Sequence, residues 1–295
     1  MNFGQVLTAM VTPFDQNGEI DFNATRTLVN YLISNGSDGL VVAGTTGESP
    51  TLTDSEKLEL FRFVAQVAEG RAAVIAGTGS NNTRASIELT KQAEQTGVDA
   101  VMLTTPYYNK PSQEGLYQHY KAVAEATSLP VMLYNIPGRS AAKIAPETII
   151  RLSEIENIVS VKEASGDLDA MTEIITKTGD DFTLYSGDDG LTLPVLAIGG
   201  TGVVSVSAHI LGNEMQEMVN CYNYGDVKRA AIIHQEILPV MKAMFAQPSP
   251  SPVKAALNLM GIHVGDVRLP MVPLTTEEIN TLQQNLPPYK VTAAG

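Results

Sequence analysis

The chain has 295 residues, 44% of them hydrophobic and 17% charged, which is enough apolar material for a large core and excludes disorder as its main state. Its 32 acidic residues against 19 basic ones leave a formal net charge of -13, a field that repels phosphate backbones and anionic bilayers and argues against nucleic acid or membrane as a partner. A small anion can still bind, but only where an isolated Arg or Lys, or free backbone N–H groups, are placed for it. The single cysteine, Cys221, permits no internal disulfide and fits a reducing, cytoplasmic compartment.

The N-terminal stretch MNFGQVLTAMVTPFDQNGEI has no basic segment ahead of its apolar run and no small-residue cleavage pattern, so no signal peptide is expected. Short apolar, β-branched runs then recur at 6–12, 39–43, 73–77, 99–104, 131–135, 158–162, 182–186 and 202–206, each roughly 28 residues from the next, the length of one strand plus one crossover helix. Helix signals fill the intervals. Thr53 and Glu56 form a capping box, and Gly36, Gly70 and Gly97 stand where helices should stop. Residues 190–213 contain no Asp, Glu, Lys or Arg, but Pro194 and the run Gly199, Gly200, Thr201, Gly202 would interrupt a spanning helix, and Val203–Ser207 reads as a buried strand.

Near-continuous apolar strands alternating with helices imply a parallel sheet covered by helices, either an open doubly wound sheet or a closed barrel. Eight runs favour the (β/α)8 barrel, and Val11, Thr12, Pro13, Phe14 stand after the first run in place of a dinucleotide-binding glycine pattern. Beyond residue 208 the pattern is helical only, with Ser251 and Pro252 opening one late helix. The expected organisation is a barrel over 1–224 and a C-terminal helical extension over 225–295.

Barrel chemistry is expected where strands end. Lys162 closes the sixth run, and strand alternation places it with Ile158, Ser160 and Ala164, opposite Val159, Val161 and Glu163. An ammonium group facing a barrel interior is costly to desolvate, which lowers its pKa and frees an amine able to attack carbonyls; a structural lysine paired with Glu163 is the other reading. Tyr134, on the adjoining strand with Met132 and Ile136 on its face, is either a proton relay or a core tyrosine. Thr45 and Thr46, between Gly44 and Gly47, form either a carboxylate-binding turn or a plain tight turn. The four histidines, His119, His209, His234 and His263, have no metal-ligand spacing, so no metal and no cofactor are expected.

The strings GTTGESPTL at 44–52, AGTGSN at 76–81, TPYYNKPSQEGLYQHY at 105–120, YNIPGRS at 134–140, VKEASGD at 161–167, SGDD at 186–189 and RLPMVP at 268–273 are ordered as in one known family. From residue 4 to about 274 the chain resembles the dihydrodipicolinate synthase family, within the N-acetylneuraminate lyase superfamily of Schiff-base aldolases. The resemblance implies a TIM barrel that condenses pyruvate with L-aspartate 4-semialdehyde to 4-hydroxy-tetrahydrodipicolinate, an early step towards diaminopimelate and lysine. It implies that Lys162 forms the Schiff base, that Tyr134 donates and accepts protons, and that Thr45 connects Tyr134 to Tyr108, a residue that enters from a neighbouring subunit. It further implies that Thr46 binds the pyruvate carboxylate, that Val204 and Gly187 line the pyruvate pocket, and that Arg139 holds the carboxylate of the second substrate.

A homo-oligomer follows from the borrowed tyrosine, a dimer at minimum, with tetramers common in the family. At the interface position where feedback-inhibited members bind lysine, Asn81 and Tyr107 are retained, but Asp54, Lys57 and Ala85 replace the expected histidines and glutamate. Weak or absent lysine inhibition is therefore expected. A pyruvate-dependent aldolase acting on a sugar acid or hydroxy-oxo acid is the alternative enzyme, and a catalytically silent oxo-acid sensor the alternative of another class.

Overall fold

The computed structural model describes residues 3–287. Apolar β-branched runs and capped amphipathic segments alternate as β1 (Val6–Ala9), α1 (Phe22–Ser34), β2 (Gly39–Val42), α2 (Asp54–Ala68), β3 (Ala73–Gly77), α3 (Thr83–Ala93), β4 (Ala100–Thr104) and α4 (Gln113–Ala124). The second half continues as β5 (Val131–Asn135), α5 (Pro137–Ser140), α6 (Pro146–Leu152), β6 (Ile158–Glu163), α7 (Leu168–Lys177), β7 (Thr183–Ser186), α8 (Thr192–Ala197) and β8 (Gly202–Ser205). Four helices complete the order: α9 (Ala208–Asn223), α10 (Val227–Ala243), α11 (Ser251–Leu259) and α12 (Thr276–Asn285).

All eight strands pair in parallel, and β8 returns to β1, so the sheet closes into the barrel expected from the eight runs. Alternation divides the apolar residues into two bodies. Val6, Leu40, Leu133 and Val161 pack outward under the helices, while Leu7, Val41, Met132, Tyr134 and Tyr185 fill the barrel. The Thr53–Glu56 capping box opens α2, and Gly36, Gly70 and Gly97 all adopt the left-handed φ that ends a helix. The uncharged stretch 190–213 is folded into α8, β8 and the start of α9, and no helix among the described residues is long and apolar enough to cross a membrane.

Two expectations need correcting. The strand expected over 6–12 ends at Ala9, because the Val11 N–H turns away to donate to Nε2 of the buried His209 at 3.1 Å. Simple alternation also fails at the base of β6. Val131 pairs with Ile158 but Met132 pairs with Ser160, so an extra residue is accommodated at the start of the strand. Ile158 therefore packs outward and Val159 packs against the barrel interior, the reverse of the expected sides, while Ser160 to Ala164 keep the expected alternation.

After the barrel, α10 packs along α9, and α11 and α12 fold back against α9 and α10. These helices follow the all-helical pattern of the sequence after residue 208.

Candidate active site

Register places three side chains in one row across the barrel: Tyr134 on β5 pairs with Lys162 on β6, which pairs with Tyr185 on β7. Lys162 is 5% exposed, and its Nζ lies 4.2 Å from the centroid of the Tyr134 ring. Burial, with a smaller contribution from Arg139, lowers the Lys162 pKa to about 8, although the negative charge of Asp189 partly offsets this. Burial raises the Tyr134 phenol to about 12, against the opposing effects of Arg139 and of a hydrogen bond with Thr45. One buried row thus holds an amine that is easily deprotonated beside a phenol that stays protonated.

Space for the Lys162 side chain comes from Gly187, just after β7. A Cβ at that position would lie 2.7 Å from Ala164 Cβ, closer than real Cβ contacts come, and would press tightly on Lys162 Cε at 3.1 Å. Val204 on β8 is 1% exposed and belongs to the same inner body as Tyr134. Thr45 and the buried Thr46 lie in the turn after β2, where the Glu48 N–H donates to the Thr45 carbonyl at 3.1 Å.

A cavity of about 380 Å³ opens at this end of the barrel, with Thr45, Tyr134, Arg139, Tyr107, Lys57 and Ala85 among its lining residues. Lys162, Thr46, Gly187 and Val204 are not part of its wall. Arg139 sits in the short α5, exposed, and takes part in none of the described ion pairs. Tyr108 is not brought to Thr45 within this chain: it is 88% exposed and holds a left-handed φ of 72°. Asn81 Nδ2 donates to the Tyr107 carbonyl at 3.2 Å, and Lys57 Nζ stands 3.6 Å from Asp54.

Of three buried groups near these residues, sequence reasoning gave Asp189 and Glu48 no role and Glu163 only the alternative of pairing with Lys162. Asp189, 2% exposed, accepts at Oδ2 from the Ser207 N–H and hydroxyl at 2.8 and 2.6 Å, and burial raises its pKa. Glu163 accepts from Asn135 Nδ2 at 2.7 Å and from the Ser165 N–H at 2.7 Å on the outer side of β6. Glu48 pairs with Lys254 from α11. The signal for Asp189 and Glu48 lay in the strings SGDD and GTTGE, but nothing local to Lys254 marked its partner. Among the described residues no group of three His, Cys, Asp or Glu is gathered as a metal ion would require.

A closed parallel barrel with a desolvated lysine and a phenol in register at the catalytic end defines a barrel enzyme built for amine chemistry on carbonyls. Comparison with known proteins makes this specific. The model of the dihydrodipicolinate synthetase family matches residues 2–288, and the chain belongs to that family. A 4-hydroxy-tetrahydrodipicolinate synthase of Bacillus velezensis is 63% identical over 94% of this chain and 96% of its own. The crystal structure of dihydrodipicolinate synthase from Bacillus anthracis is 61% identical with a TM-score of 0.95, covering 97% of this chain and 98% of that one. The enzyme from Cyanidioschyzon merolae, solved with lysine bound, is 47% identical with a TM-score of 0.94, over 96% and 97% of the two chains.

The Lys162 amine should titrate near pH 8, against about 10.4 for a solvated lysine. Reductive methylation with isotope-labelled formaldehyde and an NMR titration resolve it from the other lysines. A Lys162 midpoint at 10 or above would contradict the desolvation described here.

Proposed function

We infer that the protein condenses pyruvate with L-aspartate 4-semialdehyde to form 4-hydroxy-tetrahydrodipicolinate, through a Schiff base on Lys162. The observation that carries this is the buried Lys162 amine in register with Tyr134. With its pKa near 8, about a tenth of the Lys162 population is free amine at pH 7, against a few parts in ten thousand for a solvated lysine. That amine attacks the C2 carbonyl of pyruvate. The carbinolamine loses water to give the imine, and loss of a C3 proton gives the enamine. The enamine carbon adds to the aldehyde of the semialdehyde, whose oxygen takes up a proton. The substrate amine then attacks the imine carbon, closing the ring and releasing Lys162.

Each of these proton movements occurs where bulk water is excluded, so a relay is needed. Tyr134, held protonated and hydrogen-bonded to Thr45, suits the role of donor and acceptor. Thr46 in the tight turn after β2 suits the pyruvate carboxylate, and Val204 and Gly187 the pocket around pyruvate. Arg139, without a carboxylate partner among the described residues, is suited to grip the semialdehyde carboxylate in two parallel hydrogen bonds on a protein whose net charge otherwise repels it.

Tyr108 supports an oligomer. A tyrosine that is 88% exposed in a left-handed backbone conformation gains its partners from another copy of the chain, completing the relay through Thr45 of the neighbour. The active unit is then a dimer at minimum, with a tetramer as the expected assembly. Residues 1–224 would be the catalytic barrel and 225–295 an extension, whose described helices pack on the barrel and on each other while its last eight residues lie outside the described ones. A cytoplasmic location is in keeping with the lone Cys221.

Arg139 separates this reading from an aldolase for sugar acids. Losing charge-assisted hydrogen bonds costs about 1.5–3 kcal/mol, so Arg139→Ala should raise the KM for aspartate semialdehyde by one to two orders of magnitude while leaving pyruvate imine formation intact. Steady-state kinetics with each substrate varied will measure both. An unchanged semialdehyde KM, or preference of the wild type for a sugar-derived aldehyde, would overturn the assignment of the second substrate.

Lysine is bound in the solved relative from Cyanidioschyzon merolae. Here the ammonium of Lys57, 14% exposed, stands in the cavity wall beside Tyr107, and Ala85 offers no polar group. Feedback inhibition should therefore be weak or absent. Initial rates against added lysine should give half-inhibition only in the millimolar range or above, and inhibition in the micromolar range would contradict this.

A further inference from the structure

Of the eight described ion pairs, one is buried on both sides. Lys254 Nζ of α11 lies 2.7 Å from Glu48 Oε1, and each side chain is 2% exposed. Lys254 also donates to the Asp266 carbonyl at 2.7 Å, and its ammonium lies 4.2 Å from the centroid of the Phe14 ring. Arg268 comes to the same place. Its backbone N–H donates to Glu48 Oε2 at 2.8 Å, and its guanidinium lies 4.4 Å from the same Phe14 ring. The guanidinium donates to the carbonyls of Gly18 and Thr51 at 2.7 and 2.8 Å and pairs with Glu56.

A buried ion pair is a poor device for stability, because desolvating two charges cancels most of their attraction and an apolar pair would serve as well. Its value here lies in placement. Glu48 directly follows the turn Gly44, Thr45, Thr46, Gly47, and it holds a left-handed φ of 57°, a strained conformation for a residue with a side chain. Within the turn the Glu48 N–H donates to the Thr45 carbonyl and the Ser49 N–H to the Gly44 carbonyl. From β1's side the Thr12 hydroxyl donates to the Gly47 carbonyl at 2.7 Å. Thr51 bonds the Glu48 carbonyl from within the same loop, through its N–H at 2.9 Å and its hydroxyl at 3.0 Å, whereas Lys254 and Arg268 hold the Glu48 side chain from a remote part of the chain.

We propose that Lys254 and Arg268 are positioning residues for the Thr45–Thr46 turn. The C-terminal segment grips both carboxylate oxygens of Glu48, and through Glu48 it sets where Thr45 meets Tyr134 and where Thr46 meets the pyruvate carboxylate. The proposal rests on the pyruvate–imine reading given above. It assigns to the extension a part in substrate binding that packing alone would not require.

The test uses full-length Lys254→Met, Glu48→Gln, their double variant and Arg268→Ala, with Leu282→Ala as a control. Leu282 is a buried apolar residue of α12 that takes no part in the Glu48 contacts described above. For each protein the melting temperature, kcat and both KM values are measured. Lys254→Met should raise the pyruvate KM at least tenfold while the semialdehyde KM moves less than threefold. The double variant should be no worse than Lys254→Met alone, since removing one partner leaves a buried charge unpaired and removing both does not. Leu282→Ala should lose melting temperature with no change in pyruvate KM. Arg268→Ala, with its side chain 18% exposed, carries the same test should Lys254→Met not fold, with a rise of threefold or more expected.

A pyruvate KM within twofold of wild type in folded Lys254→Met, or in Arg268→Ala where that variant carries the test, would overturn the proposal. So would an equal rise in Leu282→Ala, which would make the effect one of general stability. A wild type that does not turn over pyruvate would overturn the underlying reading and this proposal with it. A wild type that does so, with variants that bind pyruvate normally, would overturn this proposal alone.

Discussion

Removing an ammonium ion from water is among the most costly things a fold can do to a side chain, and Lys162 is held inside a closed barrel at 5% exposure with no carboxylate within ion-pair distance among the described residues. The protein meets this cost by making the neutral amine accessible near pH 8. The surrounding features are arranged to sustain that state. The Tyr134 ring covers Nζ, Gly187 leaves room for the side chain, and Asp189 supplies only a partial counter-charge because its own ionisation is opposed by burial. Without barrel closure none of these would hold, because an open sheet would leave the row Tyr134, Lys162, Tyr185 wet.

The second constraint is electrostatic. A chain with a formal charge of -13 must bind two substrates that each carry a carboxylate. In the proposed reaction two local devices would do so: Arg139 on a one-turn helix at the mouth of the cavity, and a tight turn of threonines whose far end contacts the C-terminal segment through Glu48.

Much of this was legible in the sequence because it depends on local pattern. Eight apolar runs with helical intervals read as a barrel, and strand alternation put Lys162 and Tyr134 on the inner side. Alternation misplaced Ile158 and Val159 because an irregular register is set by the neighbouring strand, which a single run does not reveal. The end of β1 was overextended for a similar reason: the hydrogen-bond partner of Val11 is His209, far along the chain. Lys254 drew no reading and Arg268 only a place in the string RLPMVP, and only the folded chain brings them to one carboxylate beside the threonine turn. Tyr108 was singled out only by resemblance, since its exposure in the single chain has no sequence signature.

The central claim is that a covalent imine forms on one particular lysine. Intact mass after borohydride reduction in the presence of pyruvate, with peptide mapping, tests it directly on the wild type and on Lys162→Ala. The account predicts one stable pyruvate-derived adduct per chain, mapped to Lys162 and absent from the variant. A folded wild type that turns over pyruvate without any such adduct, or with the adduct on another lysine, would contradict it.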